Sequence, residues 1–379
     1  MRTRSIIPAL LAVALAAGSA SACSVPVFRY ALERWPAEPY LVYVFHKGPL
    51  AGDDAKIVEW IRACAGDASV PTNAEVWDVD IDASSDADSL AVWKRQSNLS
   101  PSLGASATLP WVVVRYPAVY SERRPGDLWA GPLTAANAKA AFDSPARREV
   151  GKRILSGDAI VWVLLESGDR KADDAAEATL KAEVDKLKKS LQLPELLEED
   201  LQEGAVKPDL TVSLSYLRIA RSDAAETFFV RMLQESEPDL PADKPIVFTI
   251  LGQGRLLCAL TGAGINAANL DEIGQYAVGP CSCVVKEQNP GTDLLMSVNW
   301  SALPDGKWVK PQEMPPLTGL SALAEAAPVK SAPAPRESPA ASRGPFGTLT
   351  YAVVAAVALI LFAIVIATAI LRRRTDSGT

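Results

Sequence analysis

Short apolar stretches alternate with longer stretches of helical periodicity along this chain. The first clear strand covers residues 41–45, LVYVF. A helix is predicted at 55–65, where Ile57, Trp60, Ile61 and Cys64 recur at helical spacing and form one apolar face. The rest of the first half predicts strands at 75–81, 111–116 and 128–130 and helices near 89–93, 134–142 and 146–155.

The second half repeats this order, which indicates an internal duplication. A strand at 159–165 precedes a long helix at 173–192, whose apolar stripe faces away from its charged residues. Further elements are a strand at 212–216, a helix at 224–234, a hairpin of strands 246–250 and 255–260, and a helix at 266–278. An added edge strand is expected at 293–300. Both halves therefore predict an α/β fold of order β-α-β-α-β-β-α.

The two ends of the chain predict export and anchoring. Arg2 and Arg4 precede a short apolar run and an Ala-x-Ala site at 20–22, which is the pattern of a secretory signal. Residues 351–371 carry no charge and are long enough to span a hydrocarbon core of roughly 30 Å as a helix. The arginines at 372–374 predict a cytoplasmic C-terminus by the positive-inside rule. We therefore expect a single-pass protein of the plasma (inner) membrane, with its bulk extracytoplasmic.

The predicted domain boundaries follow from these patterns and from a stretch rich in Pro, Ala and Ser before the membrane segment. They are a signal peptide at 1–22, a first domain with an N-terminal entry segment at 23–156, a second domain at 157–305, a linker at 306–349, a transmembrane helix at 350–371 and a cytoplasmic tail at 372–379. In the entry segment, Phe28, Tyr30, Leu32 and Trp35 are expected to pack on the first domain.

Charge and cysteine content narrow the class of protein. The formal net charge is −7, whereas surfaces that bind nucleic acid are basic, so we expect no nucleic-acid partner. The 5 cysteines are odd in number and sparse, which excludes a disulfide scaffold. We expect the lipid bilayer, through residues 351–371, and a protein or peptide to be the partners.

The element order of each half resembles the thioredoxin fold. Between the first strand and helix, thioredoxins carry Cys-Gly-Pro-Cys, and this chain has Lys47, Gly48, Pro49 and Leu50, without either cysteine. The passage Ala-Gly-Pro-Leu-Thr at 130–134 is similar to the family's last strand-to-helix connection. The chain as a whole resembles a membrane-anchored bacterial protein with two such domains in tandem.

The resemblance implies two further features. A cis-proline precedes the third strand in that family, and Pro110 and Pro245 occupy the matching positions. Thioredoxin folds bind extended segments beside this proline. The resemblance therefore implies a peptide or protein groove near Pro110 and the degenerate loop.

Cys281 and Cys283 are the candidates for redox or metal chemistry. Paired thiols one residue apart can exchange with disulfides or bind Cu(I), but an extended backbone places their Cα atoms roughly 6.5–7 Å apart, at the limit of disulfide geometry. The alternative is that both are structural. A closed zinc site needs four ligands, and no further His or Cys pair lies nearby in the sequence.

Other motifs favour structural roles. His46, the only histidine, ends the first strand without a spaced nucleophile, and the glycines of Gly262-Ala-Gly264 follow a hairpin strand rather than opening a βαβ unit. The alternating aspartates at 78, 80 and 82 lack the Gly and Glu of a calcium loop and predict a strand with one solvated face.

No catalytic set, cofactor site or metal site emerges from these residues, which favours a non-catalytic role without deciding whether the chain is an enzyme. The expected function is a binding or assembly module anchored at the outer membrane face. The alternative is thiol–disulfide exchange or Cu(I) handling through Cys281 and Cys283.

Overall fold

A computed structural model describes residues 24–66, 69–99, 109–120, 126–202, 212–281, 286–303 and 306–310. The predicted signal peptide, transmembrane helix and cytoplasmic tail lie outside these residues, as does nearly all of the predicted linker. Within the described ranges, none of the helices combines the length and apolarity needed to cross a membrane. The described residues belong to one compact unit, Met1–Gln312.

The chain is a mixed α/β protein with two sheets. The first half contains α1 (Val27–Arg34), β1 (Tyr40–His46), α2 (Gly52–Ala65), β2 (Ala74–Asp80), α3 (Ala87–Leu99), β3 (Trp111–Arg115), β4 (Asp127–Pro132), α4 (Ala135–Phe142) and α5 (Pro145–Leu155). The second half contains β5 (Asp158–Leu165), α6 (Arg170–Ser190), β6 (Ser213–Ile219), α7 (Thr227–Gln234), β7 (Ile246–Leu251), β8 (Arg255–Thr261), α8 (Ala267–Val278) and β9 (Thr292–Asp293).

The two sheets have the same core topology. The first sheet has the order β2-β1-β3-β4, and the second has β6-β5-β7-β8-β9. In each, the central strand pairs in parallel with the next strand along the chain and antiparallel with the third. The fourth strand then pairs antiparallel with the third.

Local sequence explains where several helices begin. Thr134, Ser144, Asp169 and Asn266 each precede a helix, and their side chains accept a backbone N–H of its first turn. Such caps satisfy donors that the helix itself leaves unpaired.

The largest buried cluster joins the two halves. It contains Val42 and Val44 of β1, Val161 and Val163 of β5, and Phe229 of α7. The opposite face of the second sheet packs under α1, α6 and α8 in a second cluster. The opposite face of the first sheet has a smaller cluster beneath α3.

Residues 292–298 form a polar seam between the halves. Asp293 is 3% exposed and receives hydrogen bonds from Arg255 Nη1 (3.1 Å) and Tyr120 Oη (3.0 Å), while Lys286 Nζ lies 2.6 Å from its Oδ2. Asn73, at the start of β2, accepts from Met296 N at 2.7 Å and donates to Leu294 O at 3.1 Å. These bonds satisfy buried polar groups that belong to opposite halves.

Three sequence predictions need correction. The entry segment contains α1, which packs mainly on α8, β5 and β7 of the second half. Phe28, Tyr30 and Trp35 lie in the second cluster, and Leu32 alone of the four predicted residues reaches the shared cluster. The apolar residues of the entry segment could pack on the apolar face of either half, so the sequence pattern alone did not identify which half they contact. The expected strand at 293–300 is reduced to β9, because the backbone beyond Asp293 bonds to Asn73 and Pro71 of the first half instead of to β8. The expected cis bond before Pro245 is the third, and its structural context is described below.

Candidate binding site at the carboxyl end of the first sheet

The degenerate loop lies directly after β1. Lys47 and Pro49 are exposed, while Leu50 is half-buried against the shared cluster. Gly48 has φ +68°, a left-handed conformation that favours glycine, and no atom lies within 4 Å of where its Cβ would be. The backbone alone therefore explains this glycine.

His46 holds the loop in place. Its Nδ1 donates to Gly48 O at 2.6 Å, and its Nε2 lies 2.7 Å from Asp78 Oδ1 on β2. Asp78 also forms an ion pair with Arg62 of α2. Both ring nitrogens of His46 are thus engaged with acceptors, and the residue is 8% exposed. This arrangement suits a positioning residue and leaves neither nitrogen open to take a proton from a substrate.

The turn after β2 closes the other side of the loop. Lys47 Nζ pairs with Asp82 Oδ2 at 2.9 Å, and this hydrogen bond raises the pKa of Lys47. The backbone N–H of Asp82 donates to Asp80 Oδ1 at 3.1 Å and lowers the pKa of Asp80. Asp80, a carboxylate with a lowered pKa, therefore borders the loop together with Asp82.

Pro110 lies at the same end of the sheet. Because Phe45 pairs with Trp111 in the antiparallel β1–β3 register, Pro110 falls opposite His46. The Leu109–Pro110 peptide bond is cis, and Pro110 O accepts from Leu133 N at 2.9 Å. The structure thus brings together the predicted loop and the first of the two predicted prolines.

The corresponding position of the second sheet differs. Pro245 directly precedes β7 but is buried, and among the described residues the Leu109–Pro110 bond is the single cis peptide. The prediction of a cis bond at Pro245 is therefore wrong. The trans form is the default of an X-Pro bond by about 0.5–1 kcal/mol, and a strand start alone does not require the other isomer.

The loop between β5 and α6 in the second half is also held in place by hydrogen bonds. Asp173 is 2% exposed, and its Oδ1 accepts from Ser167 N at 2.7 Å and from Ser167 Oγ at 2.8 Å. Its Oδ2 accepts from Gly168 N at 3.1 Å. These bonds occupy the backbone N–H groups of Ser167 and Gly168 and the Ser167 hydroxyl, which could otherwise donate to a ligand.

The cysteines do not assemble into one site in the described part of the chain. Cys281 is 1% exposed within the second cluster, and its N–H donates to Val25 O at 2.9 Å. Cys283 lies outside the described residues. Burial raises the pKa of the thiols of Cys64 and Cys258, which disfavours the reactive thiolate. No group of three His, Cys, Asp or Glu side chains is placed to hold a metal among the residues that the structure describes.

Sequence reasoning missed the roles of several residues at this edge. Arg62 and Asp78 hold His46, but they come from different elements, so no spacing along the chain connects them. Trp77 on β2 is 41% exposed, although a strand tryptophan is usually mostly buried. The alternation of aspartates with apolar residues from 78 to 82 was the available signal for a solvated edge.

The chain matches no known family model, and none of the curated proteins matches it.

Proposed function

We propose that this chain is an exported binding or assembly module, held at the outer face of a membrane by one C-terminal helix. Its halves are interpreted as two thioredoxin-like units that lack the Cys-x-x-Cys thiols. Support for this interpretation comes from the shared strand order of the two sheets and from their shared parallel and antiparallel pairings.

The observation that carries the proposal is the loop after β1. The positions of the two thiols are taken by Lys47 and Leu50, one exposed and one packed on the core. The neighbouring His46 is committed to holding Gly48 and Asp78. A loop with this fixed geometry and without either thiol suits recognition better than thiol–disulfide exchange.

The ends of the described body support a single point of attachment. Ser24 N and Oγ each donate to Asp200 Oδ2 at 2.7 Å, and Lys310 N donates to Asp200 O at 2.9 Å. A residue close to the predicted signal peptide and a residue near the start of the predicted linker therefore meet at one aspartate. A tether that leaves at this corner would keep the rest of the folded surface accessible.

The test is site-specific photo-crosslinking of the full chain in intact membranes. A photoreactive residue at Lys47 is compared with one at Lys188, which is exposed near the end of α6. Reproducible crosslinks to the same protein from position 47, and not from 188, would support a binding module. If neither position captures a reproducible protein, the assembly role is contradicted.

The same preparation tests the alternative function, which is thiol–disulfide exchange or Cu(I) handling through Cys281 and Cys283. Insulin reduction and Cu(I) binding are measured for the wild-type chain and for Cys281→Ser. Because Cys281 is buried, we expect neither property to depend on it. Exchange activity that is lost in Cys281→Ser would replace the binding module with a redox function.

A further inference from the structure

The outer edge of the first sheet is an open strand. β2 pairs with β1 on one side only, and this pairing is parallel. Tyr40 N donates to Asn73 O and Ile81 N donates to His46 O, which sets the phase of the ladder. Glu75, Trp77 and Val79 therefore bond to β1, while the N–H and C=O groups of Val76 and Asp78 point away from the sheet. Within the described residues no backbone group pairs with them.

The equivalent edge of the second sheet is protected. There, Glu166 N donates to Ile219 O, so the backbone of Tyr216 points outward. Arg153 Nη1, on α5, donates to the carbonyl oxygen of Tyr216 at 2.7 Å. Proteins commonly protect exposed strand edges in such ways, because an open edge is a template for another strand. β2 has no such cap among the described residues.

Side chains along β2 define what could pair with it. Trp77 is 41% exposed and stacks on Tyr43 with ring centroids 6.1 Å apart. Glu75, on the same face, is exposed and forms no ion pair with any described residue. A strand added beside β2 would thus place side chains next to a carboxylate and an aromatic ring.

The charge of this edge selects the occupant. Glu75, Asp78 and Asp80 lie on β2, and the strand itself carries no cation. Asp78 is already paired with Arg62 of α2, so Glu75 and Asp80 supply the charge that a partner would meet. Antiparallel pairing of two copies would bring two such acidic strands together, which is unfavourable. An extended partner segment with Lys or Arg at alternate positions would instead pair opposite charges and add backbone hydrogen bonds.

We propose that β2 binds a basic, extended segment of a partner protein by strand addition. This inference rests on the proposed binding function and assigns it a surface and a class of ligand. Backbone hydrogen bonds to Val76 and Asp78 supply the pairing. Glu75 and Trp77 select a cation and a neighbouring apolar or guanidinium group.

The test uses the full chain in detergent micelles and a labelled ten-residue peptide of alternating Lys and Val, followed by fluorescence anisotropy. Two control peptides replace every Lys with Glu or methylate every backbone nitrogen. We expect the Glu peptide to bind at least about tenfold more weakly, since several cross-strand charge pairs change sign. We expect the methylated peptide to lose binding, because it keeps the charge but cannot add as a strand.

Two variants locate the site. Val76→Pro removes an N–H that the native ladder does not use, so the fold should survive and binding should be lost. Glu75→Lys should weaken the Lys peptide and improve the Glu peptide, and this reversal cannot come from unfolding. Circular dichroism and a thermal melt verify the fold of both.

Several outcomes would overturn the proposal that β2 is the binding site, and one would separate it from the proposed function. Undiminished binding to Val76→Pro, or equal binding of the methylated peptide, would show that β2 is not the site. A wild-type dimer in light scattering that becomes a monomer in Val76→Pro would make a second copy the occupant and would also overturn the proposal. If crosslinks from position 47 capture a partner while β2 fails these tests, the proposed function stands and this inference alone falls.

Discussion

The two sheets share their topology but differ in what covers them. The second sheet is packed on both faces, with α1, α6 and α8 on one side and the shared cluster on the other. The first sheet contributes one face to the shared cluster, and α3 covers only part of the other. Matched positions make the difference visible. Trp77 pairs with the central strand at the position that Leu217 occupies in the second sheet, yet Trp77 is exposed and Leu217 packs on the core.

The same topology therefore occurs here with a protected edge in one half and an open edge in the other. In the second half, Arg153 bonds to the edge strand β6 and Asp173 bonds to the loop after β5. We therefore expect the second half to have a structural role. In the first half, the edge strand and the loop after β1 both leave polar groups at the surface. The first half is therefore where we expect recognition to occur.

The largest effect is expected at the seam that the halves share. Asp293→Ala would leave Arg255 and Lys286 buried without their common carboxylate. Loss of one partner from a buried ion network costs about 3–5 kcal/mol. The measurement is the free energy of unfolding from denaturant titration with the full chain.

Asp82→Ala provides the control for this prediction. It removes a carboxylate from the exposed pair with Lys47, and exposed pairs contribute little. Stability should be unchanged within error. Equal losses in the two variants would mean that the seam does not join the halves energetically.

The matched pair Leu217→Ala and Trp77→Ala tests the comparison of the faces. Leu217 packs on the shared cluster, so we expect a loss of about 2 kcal/mol, near the low end for Leu→Ala. Trp77 loses mainly its stacking on Tyr43, which we expect to cost about 1 kcal/mol or less. Thermal melts of both variants decide the order, and a larger loss for Trp77→Ala would reverse our view of which sheet is better covered.

Much of this fold follows from local patterns, and the exceptions are long-range. The strands and helices of both halves appear close to where periodicity predicts them, because alternation and helical spacing each reflect one buried face. The stretch from Leu294 to Trp300 alternates like a strand, yet the backbone of Met296 and Val298 bonds to Asn73 and Pro71. No local pattern could reveal those partners.

The site was predicted in a similar, partial way. The loop after β1 and Pro110 were predicted from the resemblance to the thioredoxin fold, through the Gly-Pro pair at 48–49 and a proline directly before a strand. The clamp of Arg62 and Asp78 on His46 depends on the packing of α2 against β2, which the sequence does not specify. The open edge depends on the order of the strands, which a single sequence leaves undetermined.

Arg153→Ala tests whether the second edge is protected by its cap. The variant removes the hydrogen bond to Tyr216 O, and we expect a loss of about 1 kcal/mol. It should also increase aggregation on heating, because it exposes a second strand edge. Light scattering during a thermal ramp provides the measurement. Lys152→Ala, one residue earlier and exposed, is the control and should behave like the wild type.

The smallest effect is expected at the start of α3, which among the described helices is the one that covers the outer face of the first sheet. Asp86 accepts hydrogen bonds from Ser89 Oγ and from Asp88 N, and these bonds lower the pKa of Asp86. A carboxylate with a lowered pKa in the folded state stabilises the fold above its ordinary pKa, and this contribution is lost as the pH falls through the folded value. Asp86→Ala should therefore lower the melting temperature slightly at neutral pH and match the wild type in acid.

Asp86→Asn separates the hydrogen bond from the charge. Asparagine is as good a cap as aspartate but does not titrate, so this variant should stay close to the wild type at neutral pH. Melting temperatures are compared from neutral pH down to about 3, below the ordinary pKa of an aspartate. A constant difference between wild type and Asp86→Ala across that range would show that the ionised carboxylate does not anchor α3. The exposed face of the first sheet would then owe its partial cover to the apolar contacts of Val92 and Trp93 alone.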